Sequence, residues 1–183
     1  YTVSCLSYNY GQKHVIELDR AKANIEYLAM NGYEVQHEIT DLSSAMGIFH
    51  SALTTDDLEV PEGHYEEEQM KQTVVPNRNA IFSSILYGYA LSIALRENTN
   101  VIIALGVHSG DHAIYPDCRP EFYEAISMAF EVGNWDSEKV NFHLPYIDGD
   151  KESILRDAEQ SLKTLNLDFD TVFANTNTSY NPD

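Results

Sequence analysis

The sequence has 183 residues, 43% of them hydrophobic and 22% charged, which fits one globular domain able to bury a substantial core. Eleven basic against twenty-nine acidic side chains leave a formal charge of −18, which repels a phosphate backbone and argues against a nucleic-acid partner. The acidity reads as a solvated, self-repelling surface, and with Cys5 and Cys118 as the only cysteines neither a disulfide framework nor a four-cysteine metal site can be built.

The sequence contains no apolar run approaching the roughly eighteen residues of a membrane span and no charged-then-apolar leader. A cytoplasmic protein without membrane contact is expected. From Tyr1, the stretch Tyr-Thr-Val-Ser-Cys-Leu-Ser reads as a strand already under way, so further chain upstream is expected. Tyr8-Asn9-Tyr10-Gly11-Gln12 is turn-like. Ile16, Ala23, Ile25 and Leu28, with Ala21 and Ala29, suit an amphipathic helix over 16–31 that Asn31-Gly32 stops. Tyr33, Val35, His37 and Ile39 alternate with Glu34, Gln36 and Glu38 as in a strand, and Thr40-Asp41 predicts the cap of a short helix ending near Ile48. This alternation favours a parallel sheet with helices on its faces.

From His50 to Thr73 the pattern gives way to a polar stretch with the acidic run Glu66-Glu67-Glu68. A structureless loop of this length is either an active-site lid or disordered. A helix over 79–97, apolar around much of its circumference, is expected to be buried inside the domain. Val101-Ile102-Ile103-Ala104-Leu105-Gly106 suits a central parallel strand, followed by a helix over 120–132, a strand over 140–143 and a helix over 151–165. One α/β domain over 1–183 results, with 166–183 as its C-terminal segment.

The polar residues concentrate beyond the 101–106 strand, at the edge where open α/β sheets bind ligands. His108, Ser109, Asp111, His112, Tyr115, Asp117, Cys118, Arg119 and Glu121 lie there, stiffened by Pro116 and Pro120. The same residues could make a hydrogen-bonded structural loop, with Arg119 paired to Asp117 and Pro120 starting a helix. His108 and His112 have the spacing of a helical metal site, but Gly110 lies between them and no helix is expected. Cys118 reads as a polar pocket wall rather than a nucleophile. Val75-Pro76-Asn77-Arg78-Asn79 combines a stiff turn with a guanidinium fork at a helix start, which suits an anion, while helix capping by Asn77 or Asn79 explains it equally well. Lys151, opening a late helix, could reach a phosphate or be simply solvated.

Taken in order, Ser7-Tyr8-Asn9-Tyr10-Gly11-Gln12-Lys13-His14, Ser51-Ala52-Leu53-Thr54, Val75-Pro76-Asn77-Arg78-Asn79, the segments 106–111 and 115–122, and Pro145 followed by Lys151 resemble the motif series of the 7-cyano-7-deazaguanine synthases. The series covers nearly the whole chain, and Tyr-Pro-Asp-Cys-Arg-Pro-Glu-Phe is its most specific part. The resemblance implies the doubly wound parallel sheet of the PP-loop ATP pyrophosphatases, with helices on both faces. It implies conversion of 7-carboxy-7-deazaguanine and ammonia, driven by ATP with Mg2+, into 7-cyano-7-deazaguanine (preQ0), the nitrile precursor of queuosine-type bases. A variant stopping at the amide and a non-catalytic deazaguanine-binding relative are the alternatives.

By the same resemblance Asp111, Tyr115, Asp117 and Arg119 hold the deazaguanine, and Asp111, Arg119 and Lys151 are catalytic. Tyr10, Gln12, His14, Arg78 and Asn79 serve the nucleotide, and the assembly is a homodimer. Three departures accompany it. The family's Ser-Gly-Gly-x-Asp-Ser phosphate loop and the first strand would lie before Tyr1. Asn9 stands where the family has Asp. Zinc is expected from the family, yet Ser179 occupies the first cysteine position, and the remaining cysteines would lie beyond Asp183. A fragment of a longer protein is expected, in preference to a shortened relative without nucleotide and metal sites.

Overall fold

The computed structural model describes residues 2–13, 15–51, 54, 74–108 and 115–176. These fall into two compact units, one drawn from 2–54, 74–76 and 156–176 and the other from 77–155. Of the expected loop over 50–73, all but His50, Ser51 and Thr54 lies outside the described residues, as do His14, Asp111, His112 and Ser179.

In the first unit, β1 (Val3–Asn9) and β2 (Val35–Asp41) pair in parallel, with Val3 opposite Val35 and Asn9 opposite Asp41. Between them runs α1 (Ile16–Met30). The chain turns out of α1 as expected at Asn31-Gly32: Gly32 takes a φ of 85°, and its amide and that of Tyr33 return to the carbonyls of Ala29 and Leu28. The covered face of α1 carries Leu18, Ala21, Ala23, Ile25 and Leu28 as half-buried residues, whereas Ile16 and Ala29 are exposed. Both strands sit two residues later than the sequence suggests, so Thr40 and Asp41 close β2. Asp41 still holds the next turn, accepting from the Ser43 amide at 2.8 Å ahead of α2 (Ser43–Met46). The expected alternation breaks at the end of β2, where Ile39 is exposed and Thr40 half-buried.

The second unit is built on α3 (Arg78–Glu97), β3 (Val101–Ala104), α4 (Pro120–Gly133) and β4 (Val140–His143). β3 and β4 run parallel with Ile103 opposite Phe142. The expectation that α3 is buried on all sides is corrected: its buried residues Ser83, Tyr87, Ala90, Leu91 and Ala94 form one stripe at helical spacing, and Leu95 is half exposed. That stripe packs with Ile103 and Val140, with Phe130 and Phe142 against it. β3 is likewise covered on one side more than the other, Ile103 being 3% exposed and Ile102 69%. Alternate residues of a strand face opposite ways, and only one set meets α3. Asn98, at φ 49°, ends α3 in the left-handed conformation that Asn tolerates.

The last helices are α5 (Lys151–Thr164) and α6 (Phe169–Ala174), the latter falling in the C-terminal segment for which no element was expected. Asn166, at φ 55°, ends α5, and Leu167 is buried behind it. Asp168 caps α6, accepting from the Thr171 amide at 2.7 Å and its hydroxyl at 2.6 Å. Asp150 and Ser153 form a reciprocal cap on α5, the Ser153 amide donating to Asp150 Oδ1 at 2.8 Å and the Asp150 amide to Ser153 Oγ at 2.9 Å. The Ser153 and Thr171 donors hold the carboxyls of Asp150 and Asp168 below their ordinary range. A lowered folded-state value means that each cap stabilises the fold above the ordinary carboxylate range and ceases to do so as pH falls through the lowered value. Asp168→Ala is therefore expected to lower the melting temperature at neutral pH, and the deficit to shrink in acid, where the parent loses the same charge. Thermal scans of parent and variant across that range check this. A deficit independent of pH would mean that the cap does not act through its charge.

Among the described residues no helix is long and apolar enough to cross a membrane.

Candidate active site

In the first unit, the turn leaving β1 carries Tyr10 and Gln12. Gly11 holds a φ of 78°, which a side chain would strain although its Cβ would meet Ser43 Cβ only at an ordinary contact distance of 3.8 Å. Gln12 is 3% exposed. Its Oε1 accepts from the Tyr10 amide at 2.9 Å, and its Nε2 donates to the Tyr8 carbonyl at 3.2 Å. Asn9 Oδ1 accepts from the Gly11 amide at 3.2 Å, a contact that an Asp at the same position could also make. Gln12 thus braces the turn from within rather than presenting its amide outward. Gln12→Ala is expected to destabilise the unit by about 1–3 kcal/mol, the cost of a buried amide left without its acceptor. Denaturant titration measures it, and a loss below about 0.5 kcal/mol would contradict the bracing role. Burial raises the Tyr8 phenol to about 12 and pushes the Cys5 thiol up, so both stay neutral near neutral pH.

In the second unit, the start of α3 and the segment after β3 converge. Asn77, at φ 60°, precedes α3 without a side-chain cap hydrogen bond, so the capping alternative is not met at Asn77. Asn79 does not cap it either. Its backbone amide donates to Asp117 Oδ2 at 3.4 Å, and its Nδ2 lies 3.4 Å from the Asp117 carbonyl and 3.7 Å from Cys118 Sγ. Arg78 Nε donates to Asn79 Oδ1 at 3.3 Å. Residues Pro116–Cys118 form one 3-10 turn, closed by the Cys118 amide on the Tyr115 carbonyl at 3.0 Å, and Pro120 opens α4 as expected. Tyr115 is buried, and Arg119 is exposed at the junction.

Beneath this turn lies Tyr123, 3% exposed and hydrogen-bonded to the buried Ser83 hydroxyl. Burial holds its phenol well above the ordinary range; Cys118 and Asp117 add to the effect, and the Ser83 hydrogen bond and Arg78 charge oppose it. Tyr123 is therefore a neutral phenol beneath Asp117 and Cys118. The sequence reading passed over both Ser83 and Tyr123. Ser83 stands four residues after Asn79 on one helix face, and that spacing was the available signal. Asp117 Oδ1 is buried without a hydrogen-bond partner.

The structure therefore joins Arg78 and Asn79, expected on the nucleotide side, to Asp117, expected on the base side. Lys151 is exposed at the first position of α5.

A family model described as queuosine biosynthesis protein QueC matches residues 1–183. The chain belongs to this family. Among curated relatives of this QueC chain, the 7-cyano-7-deazaguanine synthase 1 of Colwellia psychrerythraea is 42% identical over 179 residues, 98% of the chain and 73% of the relative. A second synthase of that organism is 46% identical over 86% of the chain and 67% of the relative. The 7-cyano-7-deazaguanine synthase of Hahella chejuensis is 45% identical over 84% of the chain and 62% of the relative. The QueC chain thus spans about two thirds of the length of the curated relatives it matches. No solved structure matches it.

Proposed function

We propose that the protein carrying this chain is an ATP-dependent carbon-nitrogen ligase that converts 7-carboxy-7-deazaguanine and ammonia into 7-cyano-7-deazaguanine. The observation that carries this reading is the family match along all of 1–183, together with relatives named 7-cyano-7-deazaguanine synthase. The site is chemically suited to it. A deazaguanine presents a ring N–H and an exocyclic amine side by side, and the buried, unpartnered Asp117 Oδ1 is an acceptor for such an edge. Buried Tyr115 supplies a neighbouring apolar wall. In this reading Asp111 and Arg119 help to hold the deazaguanine, and Arg78 and Lys151 supply positive charge for phosphates.

A carboxylate is a poor electrophile at neutral pH, so ATP has to activate it before ammonia attacks to give an amide; a second activation with loss of oxygen gives the nitrile. Tyr10 and His14 belong to the nucleotide side of this reading. Gln12 contributes there by holding the turn that carries Tyr10. A doubly wound sheet, a homodimer and a cytoplasmic location are parts of the same proposal. Zinc is not supported from the residues at hand. Among the described residues no group of three or more His, Cys, Asp or Glu could hold a metal ion, and the hydroxyl of Ser179 is a poor ligand beside a thiolate. No step is assigned to it.

Mass spectrometry of products formed by the intact protein from the carboxylate, ammonia and ATP tests the proposal. The nitrile is the expected product. Accumulated amide without nitrile would replace it by the amide-forming variant, and neither product would sink the ligase reading.

A further inference from the structure

Resemblance puts Asn79 with the nucleotide, yet its contacts lead elsewhere. Its backbone amide, second in the 20-residue helix α3, is one of the donors that a helix start leaves unpaired. The anion it meets is the Asp117 carboxylate, through Oδ2. The side chain repeats the attachment, with Nδ2 facing the Asp117 carbonyl at 3.4 Å and Cys118 Sγ at 3.7 Å. Because Arg78 Nε donates to Oδ1, the oxygen end of the amide is committed to Arg78 and the nitrogen end to residues 117–118. Asn79 is thus tied at both its backbone and its side chain to the turn that carries Asp117.

Asp117 is consequently held unevenly. Oδ2 takes the Asn79 amide, while Oδ1 is shut away from water with no hydrogen-bond partner. A buried acceptor left in that state works against the folded protein, and the deficit disappears when a ligand brings a donor to it. Tyr123, neutral and hydrogen-bonded to Ser83, closes the floor beneath. One oxygen anchored and the other lacking a donor is the arrangement a carboxylate needs to read a donor edge in a fixed orientation.

We propose that Asn79 is a positioning residue for the base: it sets Asp117 so that Oδ1 meets the donor edge of the deazaguanine, and it does not bind phosphate. The proposal rests on the functional reading above. It assigns the Val-Pro-Asn-Arg-Asn segment, through its last residue, to base recognition.

The test is calorimetric titration of the intact protein with 7-carboxy-7-deazaguanine and, separately, with ATP. Asn79→Ala is expected to weaken binding of the base about tenfold or more and to change ATP affinity less than about twofold, a separation that general loss of structure does not produce. Asn79→Asp keeps the shape and favours a helix start, so it controls for folding while setting a second carboxylate against Asp117. It is expected to weaken the base further than Ala does and again to spare ATP. Base binding unchanged in either variant, or ATP lost while the base is retained, overturns the positioning role alone. Failure of the unsubstituted protein to bind the base at all overturns the functional reading and this proposal with it.

Discussion

Asp117→Ala is expected to lower affinity for 7-carboxy-7-deazaguanine about a hundredfold, with a much smaller effect on ATP. Hydrogen bonds to a charged group contribute about 1.5–3 kcal/mol each, and with Oδ2 held by Asn79 the donor edge of the base loses the bond it makes to Oδ1. Loss of that acceptor therefore reaches two decades of affinity. The variant also releases the Asn79 amide from Oδ2, so some loss of thermal stability accompanies it. Asp117→Asn separates the two effects. Its amide oxygen can still accept from Asn79, but it has no charge and its nitrogen end repels a donor edge. A near-parental melting temperature with base affinity reduced by at least tenfold is the expected pair of results. Parental affinity in Asp117→Asn would remove the carboxylate from recognition and leave it a purely structural anchor.

The elements of this fold were largely legible because hydrophobic periodicity and punctuation agree in the sequence. Asn31-Gly32 ends α1 where predicted, Val140–His143 is a strand, and Lys151 opens α5. What the pattern could not supply was the distribution of burial. A run such as Val101-Ile102-Ile103-Ala104 is apolar at every position, and only the packing reveals that Ile103 is covered by α3 while Ile102 is exposed. The same holds for α3, whose apolar circumference conceals a single buried stripe. The candidate site residues were legible as a cluster in space: Tyr115, Asp117, Cys118 and Arg119 occupy one turn and junction. Their partner was not, because Asn79 lies 38 positions away and side-chain direction is invisible in a one-dimensional pattern. Motif order suggested a phosphate at the start of α3, and sequence pattern gave no sign that the Asn79 amide meets Asp117 Oδ2 there.

The buried stripe of α3 also yields the largest expected change in stability. Tyr87 is 4% exposed and stacks on Phe130 with ring centroids 4.5 Å apart, and Phe142 lies 6.4 Å from Tyr87 and 6.2 Å from Phe130. These rings join α3, α4 and β4 around Ile103 and Val140. Truncation to Ala removes the central ring and leaves a cavity that three flanking elements cannot readily close. Tyr87→Ala is expected to cost about 3–5 kcal/mol, measured by denaturant unfolding. The hydroxyl behaves differently. It is buried without a hydrogen-bond partner, and burial first, then the charges of Glu131 and Glu138, hold the phenol above its ordinary range. An unsatisfied buried hydroxyl works against the folded state, so Tyr87→Phe is expected to leave stability unchanged or raise it by about 1 kcal/mol. The ring and its hydroxyl thus carry opposite signs at one position. A loss of more than about 1 kcal/mol in Tyr87→Phe would show that the hydroxyl is satisfied in solution, and that its contribution had been assigned the wrong sign.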